Sequence, residues 1–153
     1  MMDKYKVFID GRAGTTGLRI EEYLSGRADI ALVDIDETKR KDARERLAKM
    51  EEADVTFLCL PDAGSREIVA ALSERVQSGG ADSKAAHVRV IDASTAHRTA
   101  DDWVYGLPEL TAGQRDLIAG SSRVAMAGCH AAGFILLVRP LVDAGIVPSD
   151  YPF

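Results

Sequence analysis

Cysteine is scarce in this sequence. Its two cysteines, Cys59 and Cys129, stand far apart and match neither a disulfide framework nor a paired metal-ligand spacing. Histidine is scarce as well: His87, His97 and His130 are scattered, and no metal site is read from them. No apolar run approaches a membrane span in length. The opening Met1-Met2-Asp3-Lys4-Tyr5-Lys6 has no signal-peptide core, so the cytoplasm is the expected compartment. Basic charge is not in surplus. A formal net charge of -5 speaks against nucleic acid or an anionic membrane as a general partner. Nothing repeats internally. With 46% hydrophobic and 28% charged residues over 153 positions, the chain is long enough and apolar enough for one domain with its own core.

The organising stretch is Val7-Phe8-Ile9-Asp10-Gly11-Arg12-Ala13-Gly14-Thr15-Thr16-Gly17. Strand-favouring residues run into a glycine turn, and the turn runs into Leu18-Arg19-Ile20-Glu21-Glu22-Tyr23-Leu24, with apolar residues at helical spacing. Strand, glycine turn and helix open a dinucleotide-binding unit, in which a pyrophosphate rests on the first N–H groups of the helix. A side chain in that turn would hold the pyrophosphate off the backbone. The spacing, G-x-x-G-x-x-G, differs from the commoner G-x-G-x-x-G, and an ordinary glycine-rich surface turn is the bland alternative.

The rest of the chain alternates strand and helix. Gly26 closes the first helix. Strands are expected at 29–35, 54–60, 87–92 and 123–126, with a short one near 103–110. Helices are expected at 42–50, 66–76, 112–119 (with Thr111 as N-cap) and 129–144, the last ended by Gly145. Residues 77–83 read as a flexible loop. Cys59 is expected to be a small buried hydrophobe in mid-strand. This order predicts an α/β fold, a doubly wound, Rossmann-like, mostly parallel sheet with helices on both faces. An acidic residue ending the second strand favours the free 2′-hydroxyl of NAD, and basic residues accommodate the 2′-phosphate of NADP. Asp34 and Asp36 supply the first, Lys39, Arg40 and Lys41 the second, so the residues leave the cofactor open. Leu60-Pro61-Asp62 and the run Ala93-Ser94-Thr95-Ala96-His97-Arg98 fall at carboxyl ends of strands, where ligands collect in such sheets.

Cys129 follows Gly128 at a strand-to-helix turn. There a thiol meets the positive end of the helix dipole, which favours the thiolate, and the same N–H groups can hold a developing oxyanion; a buried structural cysteine is the alternative the residues leave open. The apolar run Phe134-Ile135-Leu136-Leu137-Val138 is expected to anchor that helix rigidly. The two helix starts are expected side by side. His130 is adjacent to the thiol, but neighbours on a helix point about 100° apart, so it reads as a substrate-contact residue rather than the base.

Together these pieces resemble the amino-terminal half of the shorter form of N-acetyl-gamma-glutamyl-phosphate reductase. The glycine turn, Arg40-Lys41-Asp42, Leu58-Cys59-Leu60-Pro61-Asp62, the run 90–98, Val104-Tyr105-Gly106-Leu107-Pro108-Glu109-Leu110 and Gly128-Cys129 carry the resemblance over nearly the whole chain. It implies an NADP-dependent oxidoreductase of arginine biosynthesis. The Cys129 thiolate attacks an acyl phosphate, and hydride from NADPH reduces the resulting thioester to a semialdehyde. It also implies NADP(H) held by Gly11, Ala13, Gly14, Thr15, Thr16 and Gly17, by Arg40 and Lys41 at the 2′-phosphate, and by Pro61 and Ser94. Glu109 falls at the edge of the active site with His130.

The resemblance further implies a second domain beyond residue 153. That domain supplies an acid/base histidine and the surface for a homo-oligomer, so residues 1–153 are expected to bind cofactor and to turn over little alone. The family has Asn-Pro before Gly-Cys and Tyr-Pro-Thr after it, whereas this sequence has Met126-Ala127 and His130-Ala131-Ala132. That difference keeps open a related semialdehyde dehydrogenase acting on another acyl phosphate. A non-catalytic nucleotide-binding module is the alternative of another class.

Overall fold

The computed structural model describes residues 4–152. Six strands form one sheet: β1 (Tyr5–Asp10), β2 (Ile30–Val33), β3 (Val55–Leu58), β4 (Arg89–Asp92), β5 (Val104–Gly106) and β6 (Arg123–Met126). Their spatial order is β2-β1-β3-β4-β6-β5, and every pairing is parallel. Parallel neighbours require crossovers. The helices α1 (Thr15–Ser25), α2 (Ala43–Glu52), α3 (Asp62–Gly79), α4 (Gln114–Gly120) and α5 (Cys129–Asp143) lie between or after the strands. The doubly wound reading therefore holds, and the sheet is wholly rather than mostly parallel. Phe8, Met50, Leu58, Ile68, Leu72 and Val90 are buried almost completely and form the centre of the core.

Some boundaries differ from the sequence reading. α3 starts at Asp62 with Pro61 as its N-cap, four residues earlier than expected, and runs on through Gln77 to Gly79. Proline at a helix entry lacks only an N–H that would go unpaired there, so the residue that breaks β3 also starts α3. Thr111 does not cap α4; Gly113 holds that position. His87 sits in a 3-10 turn before β4, not in the strand. Cys59 lies just past the end of β3 and is half-buried rather than in mid-strand.

The larger correction concerns α5. Its apolar run does not anchor it: no described residue of α5 is buried, and Phe134, Leu136 and Leu137 are exposed. Hydrophobic composition fixed the helix but not a partner for its face.

Candidate active site

Because all six strands are parallel, the turns after β1, β3, β4, β5 and β6 open at one edge of the sheet, where ligands bind in such folds. Order reverses around β1: the chain moves outward to β2, then returns to β3 on the other side. The glycine turn sits at that switch point.

The three glycines of the turn have different physical reasons. Gly11 has φ +86°, and a β-carbon there would fall 2.3 Å from the Cys59 carbonyl oxygen. Gly17 is buried, and its β-carbon would fall 2.5 Å from the Gly11 carbonyl oxygen. Both are demanded by the protein's own backbone. Gly14 is not: a β-carbon there meets nothing nearer than 3.4 Å. Gly14 is the N-cap of α1 and offers no side-chain cap, so the first N–H groups of the helix, at Thr15, Thr16 and Gly17, are left for an acceptor that is not a cap. The residues therefore fit a pyrophosphate. Ala13, Thr15 and Thr16 are exposed around this helix start.

Asp10, the last residue of β1, is buried and accepts Nε of Arg46 of α2 at 2.9 Å, and Arg46 Nη2 lies 2.7 Å from the same oxygen as an ion pair. Burial pushes the Asp10 carboxyl up, against the opposing pull of Arg46. At the end of β2, Asp34 accepts Nη1 of Arg12 at 2.9 Å, while Arg12 Nε reaches Glu21 at 2.7 Å. Arg40 and Lys41 are exposed in the turn that follows, with Arg40 Nη1 3.7 Å from Glu37.

The run 93–98 is shaped by two carboxylates. Asp92, fully buried at the end of β4, accepts from Ser65 Oγ, Ser94 N, Ser94 Oγ and His97 Nδ1 at 2.6–3.1 Å. His97 stacks on Trp103, ring centroids 4.2 Å apart. Asp62 accepts from Thr95 N at 3.0 Å and from its hydroxyl, and these bonds hold the Asp62 carboxyl below the usual range. Ser94 thus stands just past the carboxyl end of β4, with its hydroxyl committed to Asp92 and to Ala96 N. Pro61 is exposed at the start of α3.

Cys129 is exposed as the first residue of α5, with Gly128 as N-cap. Its Sγ lies 3.5 Å from His130 Nδ1. The 100° separation of helical neighbours does not keep the two apart, because both side chains stand at the open first turn. Arg98 reaches across from the β4 loop: its Nε donates to the Met126 carbonyl at 2.9 Å, and a β-carbon at Gly128 would fall 2.5 Å from its Nη1. Glu109 is exposed in the loop after β5, the strand beside β6. The starts of α1 and α5 share the edge but are not side by side. The strands that lead into them, β1 and β6, have β3 and β4 between them, three strand spacings or about 14 Å across the sheet.

Cys59 contrasts with Cys129. Burial, with the negative charges of Asp10 and Asp92 nearby, pushes its thiol up to about 11. Sequence reasoning gave no role to Arg12, Arg46 or Asp92, because each acts through a partner distant in the chain. A wide cleft at the opposite edge, lined by Lys6, Glu52, Asp54, Lys84 and Arg89 among others, is open and of mixed charge. Among the described residues no group of His, Cys, Asp and Glu could hold a metal ion, and no helix is long and apolar enough to cross a membrane.

A parallel sheet with a glycine cradle at its switch point defines a Rossmann-like nucleotide-binding domain, and an exposed thiol stands at a helix start on the same edge. The chain belongs to the family described as "Semialdehyde dehydrogenase, NAD binding domain", which matches residues 6–118. Its relatives include N-acetyl-gamma-glutamyl-phosphate reductase 2 of Nostoc sp., 48% identical over 99% of this chain and 44% of the relative. N-acetyl-gamma-glutamyl-phosphate reductase 2 of Pseudomonas putida is 49% identical over 95% of this chain and 43% of the relative. The resemblance read from the motifs is borne out, and the chain spans less than half the length of these relatives. Among solved structures, aspartate semialdehyde dehydrogenase from Francisella tularensis superposes with a TM-score of 0.62 at 15% identity, covering 92% of this chain and 41% of that one. The Candida albicans enzyme, solved with NADP, gives 0.61 at 17% identity, covering 93% and 48%. At such identities these two structures speak for the fold alone.

Proposed function

We propose that this chain is the NADP(H)-binding, thiol-bearing part of an N-acetyl-gamma-glutamyl-phosphate reductase, acting in the cytoplasm within a longer, homo-oligomeric protein. The observation that carries the reading is Cys129, exposed at the start of α5 on the same sheet edge as the glycine cradle. An acyl phosphate calls for a soft nucleophile with a good leaving group opposite it. The Cys129 sulfur attacks the acyl carbon, a C–S bond forms, the C–O bond to phosphate breaks, and inorganic phosphate leaves with the electron pair. N–H groups at the start of α5 face the oxyanion that develops on the way. The nicotinamide, when bound and reduced, supplies the hydride that takes the acyl group to the aldehyde. Gly11, Ala13, Gly14, Thr15, Thr16 and Gly17 hold the pyrophosphate, Arg40 and Lys41 the 2′-phosphate, and Pro61 and Ser94 the nicotinamide side. Glu109 and His130 border the acyl group.

Intact-mass analysis after incubation with N-acetyl-gamma-glutamyl phosphate tests this reading. One acyl group is expected on Cys129 with one phosphate released, and none on Cys129→Ser. Parallel calorimetric titrations with NADP and NAD are expected to show binding, tighter for NADP. Acylation that persists in Cys129→Ser, or binding of neither dinucleotide, overturns the reading.

A further inference from the structure

Arg12 lies inside the glycine turn yet does not serve the turn. Its Nε donates to Glu21 Oε2 at 2.7 Å, and its Nη1 donates to Asp34 Oδ1 at 2.9 Å. Glu21 belongs to α1, and Asp34 directly follows β2. The guanidinium, carried by the turn before α1, therefore ties the body of α1 to the strand end that meets the ribose in such folds. Asp34 follows Gly14 by about twenty residues, the offset at which an acidic residue accepts the ribose 2′-hydroxyl and selects NAD.

Here one oxygen of that acid is already engaged, while its side chain stays 79% exposed. Asp34 Oδ1 accepts from both Arg12 and its neighbour Ile35 N, the latter at 3.0 Å. Glu21 holds the other flank of Arg12, so the cation is aimed by two carboxylates, although its side chain is 46% exposed. Among the described residues Arg12 Nη2 has no acceptor, which leaves donors of the planar fork for an incoming anion. The basic residues after β2 are less free than their number suggests: Lys39 is paired with Glu45 at 2.8 Å and Arg40 lies 3.7 Å from Glu37.

We propose that Arg12 is a specificity-determining residue for the cofactor. It occupies the carboxylate that would select NAD and presents its remaining N–H groups to the 2′-phosphate of NADP. This rests on the reading of the chain as a dinucleotide-binding domain and adds to the role given to Arg40 and Lys41. The physical basis is a change of sign. With Arg12 present, the ribose site offers a cation and an occupied Asp34. Without it, Glu21 and Asp34 are bare carboxylates that repel a phosphate and leave Asp34 free to accept a hydroxyl.

The test is calorimetric titration of the whole chain with NADP and NAD, and with 2′,5′-ADP and ADP as probes of the adenosine half. Arg12→Gln is expected to weaken NADP and 2′,5′-ADP by about tenfold or more while NAD and ADP hold or tighten, since a charge-assisted contact to phosphate is lost and none to the hydroxyl. Arg12→Gln with Asp34→Asn is expected to recover part of the NADP affinity and to lose any gain for NAD. A merely structural ion pair would move both dinucleotides together. If the NADP to NAD ratio of Arg12→Gln equals that of the wild-type chain, the proposal is wrong while the dinucleotide reading stands. If the wild-type chain binds none of the four probes, both fall.

Discussion

Arg98 roofs Gly128. Its Nε donates to the Met126 carbonyl at 2.9 Å, and a β-carbon at position 128 would fall 2.5 Å from its Nη1. The β4 loop thereby fixes the turn that launches Cys129. Gly128→Ala must shift the guanidinium, the far end of a flexible side chain, so the cost is expected to be small, about 1 kcal/mol or less. Adding Arg98→Ala removes the obstacle, so the two changes are expected to be less than additive, because they share one contact. Denaturant melts of the four proteins of the cycle measure it. Strict additivity would show that Arg98 does not constrain the turn.

The three glycines of the cradle separate by experiment. Gly11→Ala places a side chain at φ +86° and 2.3 Å from a carbonyl oxygen, and Gly17→Ala drives one into the Gly11 carbonyl. Each is expected to cost about 2 kcal/mol or more, as substitutions at incompatible backbone positions do. Gly14→Ala meets only ordinary contacts and is expected to stay within about 0.5 kcal/mol of the parent. It adds a methyl at the N-cap of the helix start whose N–H groups are left open, so it should lose dinucleotide affinity while keeping its melting point. A large drop in stability for Gly14→Ala, or intact affinity, would contradict this division.

The cysteines are expected to differ in alkylation. Cys59, pushed up to about 11 by burial and two nearby carboxylates, stays protonated across the working range, and its labelling should rise only as pH approaches that value. Cys129 is exposed at the first turn of α5. Iodoacetamide at pH 8 followed by peptide mapping is expected to mark Cys129 and spare Cys59. Equal labelling of the native chain would show that Cys59 is not shielded as described.

What the sequence made legible was local. Val7 to Gly17 gave strand, turn and helix because the signal is a change of period punctuated by glycine, and all of it lies within a dozen neighbouring positions. Gly128-Cys129 was legible for the same reason. Pairings across the chain were not: Arg12 with Asp34, Arg46 with Asp10 and Arg98 with Met126 depend on strand order, which periodicity does not encode. The order also separates the two helix starts by two intervening strands, where adjacency was expected. α5 shows the converse limit. Its composition announces a helix with an apolar face, but where such a face is buried depends on what lies opposite it, and no described residue of α5 is buried.

A buried ion pair, Asp10 with Arg46, lies beneath the cradle. Asp10 immediately precedes Gly11; its backbone carbonyl accepts Cys59 N at 2.7 Å where the turn begins, while its carboxylate meets Arg46. Arg46→Met keeps the stem's packing but strands a buried carboxylate, which costs on the order of 3–5 kcal/mol. The sign of the pH dependence follows from the direction of the shift. Burial already raises Asp10 above its ordinary value of 3.8 despite Arg46, so its contribution to stability is fullest below that value and declines as pH rises through the folded pKa. Removing Arg46 removes the opposing pull and raises Asp10 further. The penalty of Arg46→Met should therefore be larger at pH 7.5 than at pH 4.5, and that difference should vanish in an Asp10→Asn background, where nothing titrates. Urea denaturation at the two pH values in both backgrounds reads it out. A penalty that is the same at both pH values, with Asp10 intact, would mean that the carboxylate finds another partner and that Arg46 is not what keeps it charged.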